Sequence, residues 1–298
     1  MKLYPVKITL LLVWIVMLIV TQSYLLIPQY SGFLLLGVVG AIFANATGAG
    51  GGVVFVPFFN QLSLSSEMIV ATSFAIQCCG MTAGAVTWFK HYQLLKQTNH
   101  KDHAQATQWQ DLGKGLAICV PFSIVGIFVA QYVLHEYTNR VQDGLHFYFG
   151  LFSIILAMAI YGSIPLMRKQ RNISVMLGID VILLVLIAFF GGVITAWLSI
   201  GVGELVAVYL ILRGFNISFA IALAVILSAF TVQGAVIYHL FISKAVYWQI
   251  VVFAGAGAIV GGILAKHVVL FFSPVKLKIF FGTWVLVMGV AGLPIWLS

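Results

Sequence analysis

Nine apolar stretches separated by short polar clusters run the length of this chain: Ile8 to Ile27, Gly32 to Leu62, Met68 to Phe89, Leu112 to Leu134, Leu145 to Met167, Val175 to Leu212, Ile217 to Ile242, Val246 to Val268 and Ile279 to Leu297. A hydrocarbon core about 30 Å thick is crossed by a helix of about 20 residues. Inside lipid the backbone must satisfy its own polar groups, which helices do within one segment. The stretches therefore predict an all-α polytopic membrane protein whose main partner is the lipid bilayer. Composition excludes the soluble alternative, because only 7% of the residues are charged against about 25% in soluble domains. The excess of basic residues, 15 against 7 acidic, falls mostly in short loops as the positive-inside bias requires, so nucleic acid is not an expected partner. Cys78, Cys79 and Cys119 lie inside apolar stretches without a CxxC pair, and read as packing residues. The first stretch runs into Pro28 with no small-residue cleavage site, and reads as an uncleaved first helix.

Two stretches, Gly32 to Leu62 and Val175 to Leu212, are too long for one crossing and carry glycine clusters at their middles, Gly48 to Gly52 in one, Gly191-Gly192 and Gly201 to Gly203 in the other. The basic residues decide how these two run. If every stretch crosses once from a cytoplasmic amino terminus, Lys2, Lys7, Arg140, Arg213, Lys266, Lys276 and Lys278 are inside, seven against eight. If the two long stretches double back, Lys90, Lys96, Lys101, Lys114, Arg168, Lys169 and Arg171 join the inner side while Arg140 leaves it, giving thirteen against Arg140 and Lys244. The second arrangement has the asymmetry of membrane proteins. It predicts seven full crossings and two broken hairpins in a single transmembrane domain: a first helix over 1–31, then two inverted repeats over 32–167 and 168–298. Gly48-x-Gly50 can be laid on Gly201-x-Gly203, and Gly84-Ala85-Val86 on Gly234-Ala235-Val236. Weak internal symmetry with broken segments at matching places points to a transporter whose site lies between the repeats near the midplane.

A broken helix exposes a fresh amino-terminal end with about half a positive charge and free N–H groups, which attracts anions. Gly48, Gly50, Gly51 and Gly52, with Gly201 and Gly203, are the candidate anion-binding residues on this argument. Tight helix packing through small residues is the competing explanation for the same glycines. The run from Gly48 to Pro57 with Ala71-Thr72-Ser73 and Gly84 resembles the TauE/SafE family of membrane transporters, and Gly201-Val202-Gly203, Gly234 and His239 resemble its second repeat. The resemblance covers most of the chain from about Gly37 to His267. It implies a small sulfur-containing anion, sulfite or an organosulfonate, carried by a secondary transporter of a bacterial inner membrane without a nucleotide or metal cofactor and without enzymatic activity. It places the family's threonine-serine pair on Thr72 and Ser73, whose hydroxyls are candidates to donate to anion oxygens beside the first turn, with bonding to their own helix carbonyls as the alternative. Glu204 departs from the family's glycine, and Ala222 and Leu223 stand where a Thr-Ser pair would repeat.

An ionisable residue at membrane depth is a functional candidate by default. Glu204, directly after the second glycine turn, is the candidate for carrying a coupled proton; a structural, hydrogen-bonded carboxyl is the alternative. Asp180 reads as snorkelling to the cytoplasmic interface, and His239 and His267 as interfacial. Thr72 and Gln77 lie roughly 140° apart around their helix, so Thr72, Ser73 and Gln77 are not expected to share one ligand. Gln233 is a weaker candidate. Trp109, Tyr247 and Trp248 read as lipid-facing or interfacial belt residues. His91, His100 and His103 read as part of a solvated cytoplasmic loop, because their spacing is irregular and no cysteine accompanies them. A cation or proton-antiport carrier and a non-transporting accessory subunit remain the rival functions.

Overall fold

The computed structural model describes residues 12, 14–20, 22–62, 64–97, 107–137, 140, 144–165, 173–291 and 293. Among them no strand forms; Ile173 and Phe215 make an isolated bridge. A helical stretch over 14–20 and a 3-10 turn, Ser23–Leu26, lead into α1 (Ile27–Thr47) and α2 (Gly52–Asn60). Then follow α3 (Ser66–Gln97), α4 (Leu112–Phe128, ending in a π turn, Val129–Val133) and α5 (Leu145–Ser163). The same order recurs in α6 (Gly178–Leu198), α7 (Val202–Arg213), α8 (Ile217–Phe241), α9 (Trp248–Phe271) and α10 (Pro274–Ala291). Among the described residues six helical segments are long and apolar enough to cross a membrane, those of α1, α3, α4, α6, α8 and α9, and shorter apolar helices cover Phe147–Gly162 and Gly282–Ala291. The chain is a polytopic all-helical membrane protein.

Two expected boundaries move. The first helix is expected to run over 1–31 and the next stretch to begin at Gly32, whereas α1 begins at Ile27 with Pro28 in its first turn, where a missing N–H costs no helical bond. The preceding break falls at Gln22, in the left-handed region at φ 54°. Gly191 and Gly192, expected at a break, lie inside α6; a side chain at Gly192 would strike the Ser123 carbonyl of α4. Their role is close helix approach.

Both long stretches double back. Phe33, early in α1, meets Phe58 and Phe59 at the end of α2, with ring centroids 6.1 and 6.3 Å apart. In the second hairpin Asp180, in the first turn of α6, pairs with Arg213, the last residue of α7, at 2.7 Å. The hairpins enter from opposite ends of the bundle. At one end Tyr30 of α1 bonds Tyr247 before α9 (2.8 Å), the Tyr247 N–H donates to Thr72 early in α3 (3.0 Å), and Phe74 stacks on His239 late in α8 (5.6 Å). At the other end Trp88 of α3 stacks on Trp109, Trp109 meets Phe219 at the start of α8, and Lys114 of α4 donates to the Met176 carbonyl just before α6.

The hairpins also exchange partners: α1 packs most extensively on α9, and α6 packs on α4. In the first pair Gly261 of α9 lies against the Val38 carbonyl, and in the second Gly126 of α4 lies against the Phe189 carbonyl. Val38 and Phe189 are each the twelfth residue of their helix. Backbone approach of this kind is how helices gain dispersion contact in lipid, where no hydrophobic force drives them together.

The described basic residues divide unevenly between the ends. Lys90, Lys96, Lys114, Arg213, Lys266 and Lys276 cluster where α6 starts, and Arg140 and Lys244 lie at the other end; Lys2, Lys7, Lys101, Arg168, Lys169 and Arg171 lie outside the described residues. Opposite entry of the hairpins predicts that single cysteines replacing Ser65 and Asn216, in a background lacking Cys78, Cys79 and Cys119, label from opposite membrane faces with an impermeant maleimide. Losing the Asn216 cap on Phe219 N–H costs about 1 kcal/mol, too little to unmake the bundle. Labelling from one face would overturn the arrangement.

Candidate functional site

Each long hairpin arm stops for a local reason. The Thr47 hydroxyl donates to the Phe43 carbonyl (2.7 Å) and accepts from the Ala49 N–H (3.2 Å), and Gly48 follows at φ 80°, the left-handed residue that ends many helices. In the second hairpin Ser199 takes that left-handed place at φ 61°, and Gly201, at φ 148°, has a backbone that other residues rarely adopt. Gly48 and Ser199 are therefore equivalent, as are Gly50 and Gly201. This corrects the alignment of Gly48-x-Gly50 with Gly201-x-Gly203 by two residues for the second glycine and by as much for the first.

The two breaks meet face to face. A side chain on Gly203 would collide with the Gly48 carbonyl, and one on Gly52 would collide with the Ser199 carbonyl. Backbone therefore packs on backbone in a twofold pattern, and the starts of α2 and α7 are brought to one buried junction. The Glu204 carboxylate bridges it: Oε1 accepts the Gly50 N–H and Oε2 accepts the Gly201 N–H, both at 2.8 Å. The second bond is a capping interaction from the third residue of α7 to its own N-cap. The first joins the two hairpins. Gln77 of α3 makes a second link. Its Oε1 accepts the Gly51 N–H (2.8 Å), and its Nε2 donates to the Ser199 hydroxyl (2.8 Å) and carbonyl (3.2 Å) and to the Ser73 hydroxyl (3.0 Å). Ser199 Oγ in turn donates to Ser73 Oγ at 2.9 Å. Thr195 holds the Val202 N–H at 2.9 Å. Ser73, Gln77, Ser199, Glu204 and Ser228 are all buried, and the Ser228 hydroxyl, aimed at the Gly203–Gly48 contact, has no hydrogen-bond partner.

The sequence candidates separate cleanly. Gly48, Gly50, Gly51, Gly52, Ser73, Gly201, Gly203 and Glu204 come together at the junction. Thr72 does not; its hydroxyl faces Tyr247. The three polar side chains do not share one face, as the roughly 140° between Thr72 and Gln77 predicts: Gln77 lies with Ser73, one turn away, and apart from Thr72. Gly50 and Gly51 need no positive φ, since the positive-φ glycines among the described residues are Gly48, Gly201 and Gly214; what confines Gly50 and Gly51 is space. Asp180, in the first turn of α6, is fully buried in protein, accepting from Leu177 N–H, Tyr209 OH and Arg213. His239, in the last turn of α8, is likewise buried, beside Ser243 and Phe74, whereas His267 is exposed. Trp109 is buried among aromatic rings rather than belt-like. Gln233 sits at the exposed Thr82 contact. His91 packs on Trp88 and Trp109; His100 and His103 lie outside the described residues. Ser199, Thr195 and Ser228 were missed. Ser199 had a legible signal, being the hydroxyl nearest the second glycine turn. Among the described residues no three of His, Cys, Asp and Glu gather as a metal cluster.

Chemically, the junction gathers backbone N–H groups at two helix starts, donors of the kind that can hold an oxyanion, and here they bond to the protein's own Glu204 and Gln77 oxygens. No curated protein and no solved structure matches the chain at a significant level. The family model described as Sulfite exporter TauE/SafE matches residues 33–292, and the chain belongs to that family of membrane transporters.

Proposed function

We propose that this protein is a secondary transporter that moves a small sulfur-containing oxyanion, sulfite or an organosulfonate, across the cell membrane by alternating access of two inverted halves, 32–167 and 168–298. The observation that carries this reading is the meeting of two broken helices at a buried junction, with the Gly50, Gly51 and Gly201 N–H groups collected on the oxygens of Glu204 and Gln77. Irregular backbone at membrane depth persists where it serves a site between packed elements. The exchanged packing supports movement: each hairpin rides on a span of the other half, so rocking of the halves opens one face of the junction as it closes the other.

The positive-inside bias supports reading the end rich in Lys and Arg as the cytoplasmic one, and with it a cytoplasmic amino terminus in a bacterial inner membrane. Glu204 carries the coupled proton. When it is protonated it loses its hold on the break N–H groups, which then receive the substrate; when the substrate leaves, the carboxylate returns. Neither nucleotide nor metal enters this cycle. Reconstitution in proteoliposomes tests it: an imposed pH gradient alone should drive uptake of 35S-labelled sulfite against its gradient, without ATP. Sulfite flux unaffected by the pH gradient, or no flux in correctly inserted protein, would sink the reading.

A further inference from the structure

We propose that Trp88 and His239 mark the two ends of the path by which the transported oxyanion reaches the junction, each ring closing the path on its own side and offering its N–H to the anion in passage. The inference rests on the transporter reading above and adds contacts outside the junction.

The first support is position. The hairpins enter from opposite ends and meet tip to tip, so beyond each tip the approach to the junction is left to the long helices, α3 toward one face and α8 toward the other. The offset that equates Gly48 with Ser199 also equates Gln77 with Ser228 and Trp88 with His239. Gln77 and Ser228 are each the twelfth residue of their helix, and Trp88 and His239 the twenty-third. Eleven residues rise about 16 Å and return to within about 20° of the same face. Each ring therefore stands on the stripe that carries the junction residue, and the two lie toward opposite membrane faces. Trp88 follows Gly84 by one turn, and Gly84 is where Asn45 of the last turn of α1 packs. It stacks on Trp109 at 6.1 Å, while His239 stacks on Phe74 of α3 at 5.6 Å. Exposed lysines, Lys90 and Lys244, follow the two rings.

The second support is unmet hydrogen bonding. Trp88 is fully buried and His239 is 2% exposed, yet Trp88 Nε1 and His239 Nε2 have no partner. Buried polar atoms are rarely left so. Packing does not account for two of them at twofold-related places, because phenylalanine would fill either place without stranding a polar atom. The Ser243 hydroxyl, 3.1 Å from His239 Nδ1, is the donor to it in this scheme, which leaves the ring proton on Nε2. Both unmet nitrogens are then N–H donors, the groups an oxyanion needs as it sheds water. When the bundle opens toward one face, the ring on that face leaves its stack, and the anion exchanges water for that N–H before it meets the N–H groups of the breaks.

The experiment combines labelling and counterflow on the full-length protein in right-side-out and inside-out membrane vesicles. In a background lacking Cys78, Cys79 and Cys119, Trp88→Cys should react with an impermeant maleimide only from the Lys- and Arg-rich face and His239→Cys only from the opposite face. Methanesulfonate, an oxyanion that does not attack maleimide, should slow both reactions. Phe149→Cys, which removes an equally buried ring from α5 off the path, should show no such protection. His239→Phe, which keeps a ring but no N–H, should slow counterflow of labelled sulfite about tenfold, the loss of one hydrogen bond to a charged oxygen. His239→Gln, which restores an N–H donor, should stay within about threefold of wild type. Labelling of Trp88→Cys and His239→Cys from the same face or from neither, or without protection, would overturn the path. Wild-type counterflow in His239→Phe, or counterflow as slow in His239→Gln as in His239→Phe, would overturn the N–H contact while leaving the transporter reading intact. Absence of sulfite counterflow in the wild type would overturn the transporter reading together with the inference.

Discussion

Glu204→Gln should abolish net proton-driven flux while leaving exchange of labelled for unlabelled substrate at a sizeable fraction of the wild-type rate. The carboxylate accepts one N–H from each break, and hydrogen bonds to a charged group contribute about 1.5–3 kcal/mol each. Glutamine keeps the shape but offers one oxygen; its NH2 group is turned against the second N–H, donor against donor. The empty junction of the variant therefore closes poorly, and the return of the unloaded carrier, which net transport requires, is the step that fails. A loaded carrier is closed by the substrate's own oxygens, so exchange continues. Exchange in the variant should also lose its dependence on external pH, because the group that takes the proton is gone. Both rates measured at two external pH values decide the matter. Net flux that keeps its wild-type pH dependence in Glu204→Gln would remove Glu204 from the coupling step and leave it a structural cap of α7.

The sequence carries the architecture because lipid leaves few alternatives. Apolar length, glycine clusters and the distribution of Lys and Arg suffice to expect helices, two hairpins and their opposite entry, and the contacts of Phe33 with Phe59 and of Asp180 with Arg213 bear out the doubling back. Position within a break is harder to read. Gly191-Gly192 and Gly201-Val202-Gly203 look alike as composition, yet the first pair serves helix crossing and the second lies at the turn, a difference set by which helix packs opposite. The left-handed place in the second break is held by Ser199, which carries no glycine signature. The same limit applied to polar residues. Ser73 and Thr72 are adjacent and chemically alike, but the rotation of about 100° between successive helical residues assigns Ser73 to the junction and Thr72 to the Tyr247 N–H. Asp180 is near Arg171 in sequence, but its partner is Arg213, brought beside it only when α7 folds back. What sequence cannot supply is the cross-hairpin pairing of Glu204 with Gly50, 154 residues apart.

That pairing makes the first break sensitive to atoms, and Gly50→Val and Gly51→Val should each reduce transport more than about tenfold without preventing membrane insertion. Neither residue sits at positive φ, so valine meets no backbone strain there of the kind it would meet at Gly48. The cost is spatial. A Cβ on Gly50 would lie 2.9 Å from Gln77 Oε1 and 3.3 Å from the Ser199 carbonyl; on Gly51 it would lie 2.7 Å from the Phe55 ring and 2.9 Å from Gln77 Cγ. Valine adds two further methyl groups, so Gln77 must leave the Gly51 N–H and Ser199, and the cross-hairpin link is lost; overpacking of this kind costs typically about 1–3 kcal/mol, within what a bundle of this burial tolerates. Gly32 is the control, since nothing lies within 4 Å of its missing Cβ, and Gly32→Val should transport within about twofold of wild type. Equal insertion of all three variants, with flux lost only in the two junction variants, identifies the glycines as part of the site rather than as helix packing. Near-normal flux in Gly50→Val and Gly51→Val would leave packing as their whole role, because a junction that works with Gln77 displaced does not depend on the N–H groups that Gln77 and Glu204 hold.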